Sequence, residues 1–208
     1  MRKLRIACLA SGRGSDFQSI IDAVEAGGIN GNVVVLGVDK PDAKAIERAE
    51  KHGIPWFCHP PKEFANRIEH DKAMRRELDK YSPDVICLVG YMRIIKDPDW
   101  LSDYFGKMIN IHPSLLPSFP GAHAQSDAFE AGARVSGYTI HFVDKDPKAL
   151  DGGPVIWQEA VDISGCQTAD ETADKILERE HVGLPRIVQS FAEGHYIING
   201  KRVTYVRE

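Results

Sequence analysis

Leu4-Arg5-Ile6-Ala7-Cys8-Leu9-Ala10-Ser11-Gly12-Arg13-Gly14-Ser15 opens the chain with an apolar run that stops at a serine and glycine loop. Phe17, Ile20, Ile21 and Val24 then recur at helical spacing until Gly27-Gly28. That order, strand, glycine loop, helix, is repeated. Val33 to Val38 is a second β-branched run, followed by a helix over about Asp42 to His52 that turns Ala45, Ile46 and Ala49 inward. Gly53-Ile54-Pro55 restarts extended chain, and Pro60-Pro61 breaks it before a charged amphipathic segment from Lys62 to Lys80. Asp84 to Val89 is the next buried strand. Strands separated by helices of this length need parallel neighbours and long crossovers, so the expected class is α/β: an open, mainly parallel twisted sheet with helices on both faces.

The second half begins with a strand from Lys107 to His112. Its two-residue period places Met108, Asn110 and His112 on one face and Ile109 and Ile111 on the other. Pro113 ends the ladder by removing a donor, which leaves His112 at a strand's exposed end, where open α/β sheets hold their ligands. A loop with Pro113, Pro117 and Pro120 follows, then a short helix near Ser126 to Ala131 and strands at Val135 to Val143 and Val155 to Val161 that extend the same sheet. A helix over Ala169 to Phe191 and a hairpin from His195 to Val206, with Asn199-Gly200 at its turn, complete the chain. The expectation is one domain over 1–208, with a phosphate-binding βαβ half over 1–112 and the remainder over 113–208.

The 208 residues, 43% of them hydrophobic, suffice for a substantial core, and a net charge of −4 argues against a protein built to grip nucleic acid. Cys8, Cys58, Cys87 and Cys166 lack CxxC spacing, as suits a reduced cytoplasm. Residues 1–10 do not form a signal peptide and no apolar run approaches about 18 residues, so neither export nor a membrane span is expected.

The Ser11 to Ser15 loop can offer backbone N–H groups, hydroxyls and a helix N-terminus to one anion. No Gly-Lys-Ser/Thr follows, and Phe17 stands where a dinucleotide pattern has its third glycine, so a small phosphorylated substrate is the expected guest. Asn110, His112 and Asp151 of Leu150-Asp151-Gly152-Gly153-Pro154 supply an amide, an imidazole and a carboxylate. Singly, each also suits a strand cap or a turn. Together they suit acyl transfer without a nucleophilic side chain: Asp151 favours a protonated His112, and Asn110 donates to the oxygen that becomes negative. His123 is read as fixing its loop, His141 as a satisfied core residue, and the Lys62 to Lys80 helix as a solvated outer face. No histidine has HExxH or comparable spacing, so no metal is expected.

Asn110-Ile111-His112-Pro113-Ser114-Leu115-Leu116-Pro117, preceded by Gly90-Tyr91-Met92-Arg93-Ile94 and followed by Leu150 to Pro154, resembles the folate-dependent formyltransferases. Ser11 to Gln18, Asp39 to Lys44, Phe119 to His123 and Phe191 to Gly194 carry the likeness across nearly the whole length. The resemblance implies a Rossmann-like formyltransferase fold. It also implies transfer of a formyl group from 10-formyltetrahydrofolate, as co-substrate, to the amine of phosphoribosylglycinamide in purine biosynthesis, with Asn110, His112 and Asp151 stabilising the tetrahedral intermediate. It assigns Gly12, Arg13, Gly14, Ser15 and Asp16 to the substrate phosphate and ribose, and Glu180 to the amine side. Arg67, Met92, Arg93, Ile94, Ile95 and Asn110 fall to the folate. Partners would be small molecules only, and the chain a monomer or homodimer. Three features depart from the family pattern: Asp16 replaces an asparagine, either facing the anion or capping its helix; Leu177 replaces a polar residue; and the 144–149 loop is longer and should fold over the folate. The alternatives are a formyltransferase for another small amine, a 10-formyltetrahydrofolate hydrolase, and an inactive folate or phosphometabolite binding module.

Overall fold

The apolar runs pair into a seven-stranded sheet in the computed structural model, which describes residues 2–208. Its strands are β1 (Leu4–Ala10), β2 (Gly31–Val38), β3 (Trp56–Cys58), β4 (Val85–Leu88), β5 (Met108–His112), β6 (Val135–Phe142) and β7 (Val155–Asp162), in spatial order β3-β2-β1-β4-β5-β6-β7. The first five are mutually parallel; β6 and β7 are antiparallel to their neighbours. The helices are α1 (Ser15–Glu25), α2 (Ala45–Lys51), α3 (Arg67–Asp79), α4 (Pro98–Asp103), α5 (Ala124–Glu130) and α6 (Ala169–Glu193). The reversal comes after the proline-rich loop and α5 that join β5 to β6.

Each face of the sheet has its own core. Ile6, Cys8, Leu36, Ile109 and Ile111 pack with Phe17, Ile20, Ile176 and Leu184 of α1 and α6, whereas Ala7, Leu9, Ile86 and Met108 pack with Met74, Leu78 and Trp100 of α3 and α4. The alternation of β5 is therefore observed: Ile109 and Ile111 join one core and Met108 the other.

The charged helix is not simply a solvated face. α3 buries His70 and Asp71 on the same stripe as Ala73, Met74 and Leu78. Asp71, with no solvent exposure, accepts from the backbone N–H of Lys96 (2.6 Å) and Asp97 (3.2 Å), and Arg67 Nε lies 3.4 Å away. A buried carboxylate persists because backbone donors replace its water. The hairpin also differs in detail. β8 (Gly194–Asn199) and β9 (Arg202–Arg207) form a separate two-stranded sheet, and Asn199 pairs with Arg202, which puts the turn at Gly200-Lys201. Gly200, at φ 61°, supplies the left-handed residue one place later than the sequence reading put the turn.

α6 lies against β6 with no room for a side chain at Gly183: a Cβ there would fall 1.7 Å from the Tyr138 hydroxyl. Tyr138 is fully buried and donates to Glu159 Oε2 at 2.8 Å, so its ring has nowhere to move. Alanine would add about 1 kcal/mol of helix propensity, whereas overpacking costs about 1–3 kcal/mol. Gly183→Ala is therefore expected to lower the Tm by a few degrees in a calorimetric scan; an unchanged or raised Tm would show that α6 slides freely on the sheet.

Candidate active site

Strand order reverses between β1 and β4, so the loops leaving their carboxyl ends diverge and open a cleft of about 640 Å³. The two loops are stitched together: Ser11 N–H donates to Gly90 O (3.0 Å), and the Ser11 hydroxyl accepts from Met92 N–H (2.9 Å).

Gly14, at φ 67°, bends the loop after β1 into α1, and a Cβ on it would lie 2.7 Å from Ala45 Cβ. The loop's carbonyls are turned toward α2, where Ala45 N–H donates to Gly12 O (3.1 Å) and Arg48 Nε to Arg13 O (2.9 Å). The first-turn N–H groups of α1 have no intrahelical acceptors and form the positive end of that helix, at the cleft wall made by residues 11–16. Asp16 is not a cap. The N-cap position belongs to Gly14, with no side-chain hydrogen bond, and Asp16 lies in the first turn with Oδ1 buried and unpartnered. Burial pushes its carboxyl up to about 7, against the pull of Arg13. Glu180, on α6, is 4% exposed and lines the same end of the cleft; burial, and then the charge of Asp16, push it well above the ordinary carboxylate range. Leu177 lines the cleft one turn earlier.

At the other end, β5 delivers Asn110 and His112. His112 Nε2 is 2.9 Å from Phe119 O. A carbonyl only accepts, so Nε2 carries the hydrogen and Nδ1 is the free ring atom. Nδ1 lies 3.6 Å from Asp151 Oδ2, within ion-pair reach, and that same oxygen accepts from Gly121 N–H at 2.9 Å. Asp151 adopts φ 50°, a left-handed conformation that aspartate tolerates better than most residues. Gly153 behind it passes so close to β6 that a Cβ would fall 1.7 Å from Phe142 O.

His141 is more than a core residue. It lines the cleft from β6, opposite Asn110 in the antiparallel register. Its Nδ1 is 2.9 Å from Phe142 O, and its Nε2 is 3.1 Å from Asn110 Nδ2. Nδ1–H donates to the carbonyl, so the lone pair on Nε2 accepts from the Asn110 amide and fixes which way that amide points. Burial lowers the pKa of His141, which keeps it the neutral acceptor this chain of bonds requires. No spacing in the sequence announced the pair, because it exists only once β5 and β6 align.

The other residues expected to hold the folate are placed unequally. Met92 and Ile94 are exposed on the cleft wall, and Ile95 is buried behind it. Arg93 also lines the wall, but its Nε is committed to buried Asp39 (2.9 Å). Arg67 does not reach the cleft: its guanidinium donates to Ile94 O (2.5 Å), so it supports the wall from behind. The 144–149 loop lines the cleft's far side, and Lys96 Nζ holds it through Pro147 O (2.7 Å). His123 sits outside the cleft at the start of α5, where its carbonyl accepts from Asp127 N–H and the Ser126 hydroxyl. Among the described residues, no cluster of three or more His, Cys, Asp or Glu is placed to hold a metal, and no helix is long and apolar enough to cross a membrane.

Residues 4–188 match the formyl transferase family. The chain belongs to that family. It is 40% identical to the phosphoribosylglycinamide formyltransferase of Bacillus subtilis over 89% of this chain and 93% of that protein. It is 39% identical to the trifunctional purine biosynthetic protein adenosine-3 of Drosophila melanogaster over 95% of this chain, but spans only 14% of that protein. The fold matches the crystal structure of glycinamide ribonucleotide transformylase 1 from Symbiobacterium toebii with a TM-score of 0.92 at 39% identity, covering 98% of this chain and 94% of that one. The mainly parallel sheet with flanking helices is thus the architecture of a formyl transferase.

The two imidazoles yield a check that needs no ligand. Long-range ¹⁵N–¹H correlation spectra should find a hydrogen on His112 Nε2 and His141 as the Nδ1–H tautomer, with His141 protonating only below the usual histidine range. The opposite tautomer at His141 would free the Asn110 amide and dissolve the proposed orientation.

Proposed function

We propose that this formyl transferase moves a formyl group from 10-formyltetrahydrofolate to the amine of phosphoribosylglycinamide, as in purine biosynthesis. One observation carries the reading: Asn110, His112 and Asp151 converge in a cleft whose opposite end is a glycine loop and helix N-terminus suited to a phosphate. A cleft of about 640 Å³ lies in the size range of small-molecule sites. Its wall offers the apolar side chains of Met92 and Ile94, which suit the faces of a flat heterocycle.

The amine nitrogen attacks the formyl carbon, and the carbonyl electron pair moves onto oxygen. The Asn110 amide, oriented by His141, and a protonated His112 donate to that oxyanion. With Nε2–H held by Phe119 O, the donor toward the reacting centre is Nδ1, the ring atom beside Asp151. The carbon–N10 bond then breaks, the electron pair leaves with N10, and a proton relayed from the attacking nitrogen through water at Asp151 neutralises it. Glu180 faces the substrate from the phosphate end, and Arg13 supplies positive charge there. No side chain becomes acylated.

The reading is tested by incubating the protein with 10-formyltetrahydrofolate, with and without phosphoribosylglycinamide, and following folate absorbance. Release that depends on the amine is expected; release without amine would make the protein a hydrolase, and no release a binding module. His112→Ala is expected to cut kcat at least about a hundredfold with folding intact, since a positioned general acid typically contributes about 10²–10⁴. Near-normal turnover in that variant would sink the mechanism.

A further inference from the structure

Asp16 and Glu180 approach the phosphate end of the cleft from two different helices, α1 and α6; Glu180 is buried, and Asp16, whose side chain is 13% exposed, has its Oδ1 closed off from solvent. The charged groups around them are Arg13 from the glycine loop and His181 beside Glu180 on α6; Lys40, from the loop after β2, lines the cleft as well. Arg48 of α2 and Asp22 of α1 act on His181, and burial, followed by Arg48, holds that imidazole toward its neutral form. His181 Nε2 stops 3.8 Å from Asp16 Oδ1, too far for a hydrogen bond, and neither buried atom has a partner. Glu180 likewise makes no side-chain hydrogen bond among the described residues. Two anions plus an incoming phosphate would repel one another, and the lasting positive charge that acts on Asp16 is that of Arg13.

We propose that Asp16 is a specificity-determining residue that meets the phosphorylated substrate as a neutral acid beside Glu180, so that substrate capture is linked to protonation of this pair. The proposal rests on the reading of the substrate given above. A neutral carboxylic acid has the shape of asparagine's amide and, like it, one donor and one acceptor edge. Asp16 thus keeps the hydrogen-bonding pattern of the residue that the family resemblance places there, at the condition of a proton. Once ionised, it leaves a like charge against the phosphate, which explains why an acid at this position need not exclude an anionic substrate. The near-neutral titration of Asp16 puts the transition within the working range of pH.

The test titrates phosphoribosylglycinamide calorimetrically into the wild-type chain, Asp16→Asn and Glu180→Gln from pH 6.5 to 8.5, in buffers of differing ionisation enthalpy. Expected for the wild type are net proton uptake on binding near pH 8 and a Kd that weakens with pH about tenfold more than in Asp16→Asn, which lacks the linked proton. Carboxyl ¹³C NMR of the substrate-free wild type should show one side-chain resonance titrating near neutrality that vanishes in Asp16→Asn. Parallel pH profiles in the two proteins, or carboxyls that all ionise in the ordinary acid range, would overturn the proposal. Failure of phosphoribosylglycinamide to bind at any pH would overturn the substrate assignment instead. Ribose 5-phosphate, which shares the phosphate and ribose, then carries the same comparison: a proton-linked Kd supports the acid pair, and a Kd parallel to that of Asp16→Asn refutes it.

Discussion

The reactive end of this site depends on one loop holding two side chains at once. Phe119 O accepts from His112, and Gly121 N–H donates to Asp151, so residues 119–121 fix the imidazole and the carboxylate from the same short stretch of backbone. The loop is itself pinned to β6 and β7. Thr139 Oγ1 donates to Ser114 O and accepts from Leu116 N–H, while Gln158 Nε2 donates to Leu116 O. Ser114 Oγ closes the turn onto Ser118 O. Buried hydrogen bonds of this kind are costly to leave unmade, and that cost converts a proline-rich connection into a rigid jig.

The rest of the cleft wall is held by the same device, a buried polar group spent on backbone. Asp71 takes the N–H groups of Lys96 and Asp97, Arg67 takes the carbonyl of Ile94, and Ser11 takes the N–H of Met92. This cleft wall therefore rests on a charged helix whose inner stripe is polar where it must hold a loop and apolar where it packs on the sheet. The side chains of Met92 and Ile94 remain free for contact because their backbone is already fixed.

Electrostatically the two ends differ. At the reactive end an imidazole and a carboxylate face each other as a potential ion pair, and a second imidazole is kept neutral to orient an amide. At the glycine-loop end two carboxyls act on one another, and burial raises the pKa of both.

The sequence by itself determined the architecture and pointed to most of the residues that line the cleft. Apolar runs broken by glycine loops and helices specify parallel strands, because period and loop length are local properties. A strand period put Asn110 and His112 on one face, and Gly14 and Asp151-Gly152-Gly153 marked places where the backbone must turn sharply. Only the tertiary structure decided what depends on pairing between distant segments. It made β6 antiparallel, joined His141 to Asn110, buried Asp71 beneath a helix that reads as solvated, and moved Arg67 behind the wall it was expected to line. It also showed Asp16 to be an acid in the first turn of α1 with one oxygen buried, rather than a helix cap. Each of these turns on which donors and acceptors are left without water once the chain has packed, and that is set by neighbours far away in sequence.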